Sequence, residues 1–218
     1  GSHHDLDGGT DDLLSTYTGV GKDHSKKKIF RKSFLKVLAI PEYLSFCAYC
    51  FLLTLFTGAC PQIFNLIEKD VLHLTKVEIV FIGNLLVVGA LAGFFLGGRM
   101  VDRLGTKYVF LCCHFGFATI LFLFLWRALF PGEVQIIVGI LTFLFGMVQA
   151  ASSIAMTSET LVLIPVENKS LATGLWFTLY SGGTGLSGVL SGQALELGLL
   201  SDSWTWLGQH MSRYDGLL

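Results

Sequence analysis

Five apolar stretches dominate this chain of 218 residues, at about Val37–Gly58, Val77–Gly97, Tyr108–Phe130, Val134–Ile164 and Leu171–Gly198. Crossing a bilayer as a helix takes roughly 20 predominantly apolar residues, so each stretch is long enough to span. The pattern predicts an all-α membrane protein with about five transmembrane helices. Composition agrees, because only 14% of the residues are charged where a soluble domain carries about 25%. Gly and Phe are plentiful, and Gly is commoner in spanning helices than in soluble ones. The net charge of −1 gives no reason to expect nucleic acid as a partner.

The polar residues are placed unevenly. Residues 1–36 form a hydrophilic leader or linker, acidic and Gly-rich first and then basic; residues 37–218 form the helical bundle. The leader has no apolar run, so it is neither a signal peptide nor a span. With the N-terminus cytoplasmic, the inside segments hold Lys22, Lys26, Lys27, Lys28, Arg31, Lys32, Lys36, Arg99, Arg103, Lys107 and Lys169. The outside segments hold Lys69, Lys76, Arg127 and Arg213. Eleven against four obeys the positive-inside rule. Trp176 at one face, and Trp126, Trp204 and Trp206 at the other, fit interfacial anchors.

Between the second and third stretches lies Gly98-Arg-Met-Val-Asp102-Arg103-Leu-Gly105-Thr-Lys107. This Gly-x-x-x-Asp-Arg-x-Gly-x-Lys pattern resembles the signature loop of the major facilitator superfamily of secondary transporters. Charge places the loop in the cytoplasm, where that family keeps it. Thr106 stands where the pattern usually has a second basic residue. The resemblance covers roughly residues 25–218 and implies part of a carrier that moves a small solute by alternating access. The family builds each half from six helices. Five spans therefore read as a half bundle, most simply the C-terminal half truncated before its last helix, alternatively an N-terminal half with a long leader. The tail Gln209–Leu218 reads as the approach to that helix. The resemblance implies as partners the lipid bilayer, a small-molecule solute, and the other half of the carrier or a second copy. Short loops suggest a bacterial inner membrane.

Without the family, Gly98 and Gly105 permit a tight reversal and close helix approach. Asp102 is an anion that could cap a neighbouring helix N-terminus, while Arg103 and Lys107 sit at headgroup level. The resemblance implies that Gly98, Asp102, Arg103, Gly105 and Lys107 form a gating loop, with Asp102 latching onto the other half. The plainer reading is a basic turn that only fixes topology.

For the solute, the fourth stretch supplies Thr142, Gln149, Ser152, Ser153, Met156 and Thr160 at helical spacing on one side. Gln149 is near mid-span, where an amide is expensive unless it faces protein or a wet cavity. Gln149, Ser153, Asn84, Tyr49 and Tyr180 are the expected substrate-binding residues, against the alternative that each is helix–helix glue. Glu42 and Glu159 lie shallow, and no carboxylate lies deep in any stretch. The small residues Gly89, Gly93 and Gly97, and the run Gly174, Ser181, Gly185, Gly188 and Gly192, allow close backbone approach, between the halves or within one bundle. The Phe-rich third stretch, Phe115–Leu125, reads as lipid-facing.

Cys47-x-x-Cys50 and the adjacent Cys112 and Cys113 lie in or at the edge of apolar stretches, with no His placed to complete a metal site, so they read as packing residues. No metal or cofactor is expected. A nucleophile and base are also missing. Neither His-Glu-x-x-His nor Gly-x-Ser-x-Gly occurs, and no enzyme is expected. The rival to a carrier is a non-transporting membrane scaffold or receptor built from a half-carrier.

Overall fold

The computed structural model of the chain describes residues 31–127, 133–164, 168–206 and 209–218. Most of the hydrophilic leader lies outside those residues, as does the end of the third predicted span at Phe130. A helical stretch over 31–38 precedes α1 (Pro41–Thr57). Extended Ile40 precedes Pro41, whose fixed φ suits the first helical position. The chain then breaks at Gly58 and Ala59 and resumes as α2 (Cys60–Leu66), with Pro61 again at the start. A π-helical turn, Ile67–Val71, closes this run.

The other helices are α3 (Lys76–Leu104), α4 (Thr106–Leu125), α5 (Val134–Leu163) and α6 (Lys169–Glu196). A reciprocal cap opens α3. The Glu78 carboxylate accepts from the Thr75 backbone N–H at 2.7 Å, and the Glu78 N–H donates to Thr75 Oγ1 at 3.4 Å. Gly105, at φ +84°, is the single residue between α3 and α4. The motif loop is thus mostly helix: Gly98–Leu104 forms the last two turns of α3, and only Gly105 turns.

Four runs are long and apolar enough to cross a membrane: Pro41–Val71, Lys76–Leu104, Thr106–Leu125 and Val134–Leu163. The first predicted span therefore extends well past Gly58, because Pro61 restarts a helix instead of ending one. The fifth predicted span, α6, has 28 residues, about 42 Å of helix, but its Gly, Ser and Thr residues dilute its apolarity below that of the other four.

The centre of the bundle is α5. It packs on α3 and α4 and touches α1, while α6 lies along α1. The α3–α5 contact is backbone against backbone. A Cβ at Gly89 or Gly93 would collide with the carbonyl of Phe143 or Met147, and one at Gly97 would come 2.6 Å from the Ala151 Cα. Gly146 meets Leu86 in the same way from the α5 side. These glycines join helices inside the bundle. The glycines of α6 differ, for Gly174, Gly185, Gly188 and Gly192 have nothing within 4 Å of a Cβ position. The third span is not wholly lipid-facing: Phe117, Ile120 and Phe124 are buried, while Phe115 and Phe122 are exposed. Phe64 stacks on Phe124 with ring centres 4.2 Å apart, and Phe145 meets Phe64 edge-on at 5.1 Å.

Two short strands, β1 (Ser203–Trp206) and β2 (Gln209–Ser212), pair antiparallel, and a 3₁₀ turn follows at Asp215–Leu217. A buried, two-pronged ion pair fastens them. Arg127, just past the end of α4, donates to both oxygens of Asp215, at 2.6 and 3.1 Å. Asp215 also accepts from the Ser212 N–H and hydroxyl, each at 2.8 Å. The Tyr214 hydroxyl donates to Asp70 at 2.6 Å, tying the tail to the end of the first run.

Because Gly93 has backbone where a side chain would go, Gly93→Val should destabilise the bundle by ~3 kcal/mol and lower its melting temperature in detergent. Gly98→Ala, with open space around the new methyl, should leave that temperature unchanged. Equal melting of the two variants would contradict the backbone contact.

Candidate functional site

The break in the first run builds the site. Pro61 lacks an N–H and cannot continue the ladder of α1. Freed backbone groups inside a membrane must find other partners, and α6 supplies them. The Ala59 N–H donates to Ser187 Oγ at 3.0 Å. Thr54 Oγ1 lies 2.9 Å from the Cys50 carbonyl and 3.1 Å from that of Tyr180. Two glycines allow this closeness: Gly183 sits against Thr54 and Phe51, and Gly58 against Thr184.

Beside the break is a cavity of about 150 Å³. The first run lines it with Thr54, Thr57 and Gly58, α5 with Gln149 and Ser152, and α6 with Tyr180 and Thr184. Leu53, Phe117 and Met156 supply apolar walls. Thr57 and Thr184 spend their hydroxyl protons on the carbonyls of Leu53 (2.8 Å) and Tyr180 (3.3 Å), which leaves oxygen lone pairs for the cavity. Ser152 Oγ is buried with no hydrogen-bond partner among the described residues. A buried hydroxyl without a partner is disfavoured unless something polar meets it.

The five expected solute residues do not all converge. Gln149 and Tyr180 line the same cavity, and Ser153 lies beside the Tyr180 side chain. Tyr49 points elsewhere. Its hydroxyl is 3.1 Å from His114 Nε2, and His114 Nδ1 is 2.6 Å from the Phe110 carbonyl. A carbonyl can only accept, so Nδ1 carries a proton, and in the neutral ring Nε2 then accepts from the Tyr49 hydroxyl. Tyr49 and His114 line a separate, shallower pocket with Phe46, Phe110 and Glu159. Asn84 is exposed, on the side of α3 away from α5, among the exposed Val80, Phe81, Val87 and Val88.

Sequence reading missed Thr54, Thr57, Thr184 and Ser187. The signal was present in Thr54-x-x-Thr57-Gly-Ala-Cys-Pro61, two hydroxyls before a helix break. Reading Gly58 as the end of the span hid it.

At the motif turn, Gly105 takes the left-handed conformation and Gly98 lies within helix with open space around it. Asp102, Arg103 and Lys107 are exposed. Asp102 has no hydrogen bond or ion pair among the described residues, whereas Arg99 lies over the Phe95 ring at 4.7 Å. Thr106 has a partner, since its hydroxyl donates to Glu159 at 2.6 Å. That bond ties the start of α4 to the end of α5 and engages Glu159.

If Ser187 is what satisfies the Ala59 N–H, Ser187→Ala should cost about 1–3 kcal/mol, read as a lower melting temperature. Ser181→Ala, on the exposed side of the same helix, should have no effect. Indistinguishable melting would remove Ser187 from this role.

The family model of the Major Facilitator Superfamily matches residues 21–208. No curated protein and no solved structure matches the chain.

Proposed function

Because the chain belongs to the major facilitator superfamily, whose members carry solutes across membranes, we propose that it forms part of one half of an alternating-access carrier for a small solute. Its share of the solute site is the cavity at the α1–α2 break. The observation that carries this reading is that cavity's lining, where an amide, a phenol and several hydroxyls from three helices converge and one buried hydroxyl has no partner among the described residues. Carriers of this kind bind solute near the bilayer midplane, where interrupted helices expose polar groups. Gln149 is the principal hydrogen-bonding group in this proposal, with Tyr180 and Ser153 beside it. Asn84 belongs to the exposed side of α3, where the other half or a second copy of this chain would pack. Tyr49 serves the shallower pocket and not the central one.

Asp102, exposed and without a partner among the described residues, is available to a helix N-terminus of that other half, with Gly105 making the turn and Gly98 leaving room for approach. Arg103 and Lys107 face cytoplasmic headgroups. The orientation has the N-terminus in the cytoplasm, and the bacterial inner membrane is the proposed location. No catalytic step is assigned.

In vesicles holding the complete carrier, Gln149→Ala should shift the concentration dependence of uptake by about tenfold, the equivalent of one lost hydrogen bond of ~1.4 kcal/mol. An unchanged concentration dependence returns Gln149 to a packing role. Asp102→Ala should slow flux while solute binding and membrane insertion persist; undiminished flux would end the latch assignment. Bound solute without any flux, in the unsubstituted protein, would favour a receptor or scaffold instead.

A further inference from the structure

The end of the first helical run carries a group that the solute cavity does not use. Glu68 lies in the π-helical turn Ile67–Val71, and its side chain is fully buried. Neither carboxyl oxygen has a hydrogen-bond partner among the described residues. Sequence reading ended the first span at Gly58, and the helix instead continues past Pro61 to carry this residue. Phe64, one turn earlier, and Ile67, next to it, belong to the apolar cluster filling this end of the bundle.

Among the described residues, no counter-charge meets Glu68. Arg127 is committed to Asp215, Asp70 accepts from Tyr214, and Glu78 closes the cap with Thr75. Lys69, His73, Lys76, Glu133 and Glu196 are exposed, as are Asp202, His210 and Arg213 in the tail. An ionised carboxylate with neither water nor a cation is strongly disfavoured, whereas the neutral acid is tolerated. The turn sits at the outer rim in the orientation proposed above, closed by the i→i−5 bond from Leu72 N–H to the Ile67 carbonyl at 2.9 Å and by a bond from Leu74 N–H to the Glu68 carbonyl at 3.0 Å. Single π turns within helices are frequent at functional positions.

We infer that Glu68 is a proton-binding site. The carboxyl is held as the neutral acid while the turn is closed, and it releases its proton to outside water when the turn opens. This goes beyond the transport reading, and its chemistry is read without any solute.

The test is infrared spectroscopy of the chain in lipid vesicles at neutral pH, with glutamate labelled by carbon-13 at the side-chain carboxyl. A protonated-carboxyl C=O band that moves with the label and is lost in Glu68→Gln is the expected result. Should Glu68→Gln fail to fold, Glu68→Asp serves, and the label-sensitive band should give way to an insensitive one. Absence of the band, or its persistence unchanged in a folded variant, means that Glu68 is ionised and overturns the inference. A failed flux assay leaves this band untouched, so the two readings fail separately.

Discussion

Within a bilayer, apolar side chains gain little by leaving lipid for one another, so helices associate where their backbones come close enough for dense packing. The pair α3 and α5 meets that condition along its length. Gly89, Gly93 and Gly97 face Phe143, Met147 and Ala151, each four residues apart on both helices. The two ladders share one period, so they stay in register over two turns. Once this pair is fixed, α4 packs on the other side of α5, and α1 closes against it with α6. The aromatic stack of Phe64, Phe124 and Phe145 fills what remains at the end near the α1–α2 break.

The break at Gly58–Pro61 is the counterpart of that rigid pair. An uninterrupted helix would consume its own backbone donors and acceptors and present side chains alone. Here a donor is released and recaptured by Ser187, and the Thr54 hydroxyl donates to the Tyr180 carbonyl of a neighbouring helix. The polar lining follows from the same departure from helical pairing, so the cavity and the irregularity are one feature. Any solute entering would exchange its own water for hydroxyls already held in position by those bonds.

Residue by residue, the sequence disclosed what depends on local pattern and concealed what depends on neighbours. Length and apolarity located α3, α4 and α5 because a lipid-crossing helix leaves a continuous signature. The turn at Gly105 was legible because its left-handed backbone favours glycine. The end set at Gly58 was too early, since apolarity dips at Gly58–Pro61 and only the side chains of α6 make the interruption tolerable. Glu68, Lys69 and Asp70 form a charged run that resembles a solvated loop, yet packing buries the first and exposes the other two. The tail shows no helical period, and its anchoring pair, Arg127 and Asp215, is 88 residues apart. Tyr49 and Tyr180 look alike in sequence; their separation between two pockets depends on the rotation of α1, which period alone does not set.

The chain's five cysteines are all free; four of them, Cys47, Cys50, Cys60 and Cys113, are buried, and Cys112 alone is exposed. Adjacent in sequence, Cys112 and Cys113 face opposite environments because one step along a helix turns about 100°. Folded, the molecule offers a maleimide one reactive address on the rim of α4; unfolded, it offers five. The stoichiometry of alkylation therefore counts intact molecules, and a dye on Cys112 reports the movements of α4 with no sulfur having to be engineered in or out.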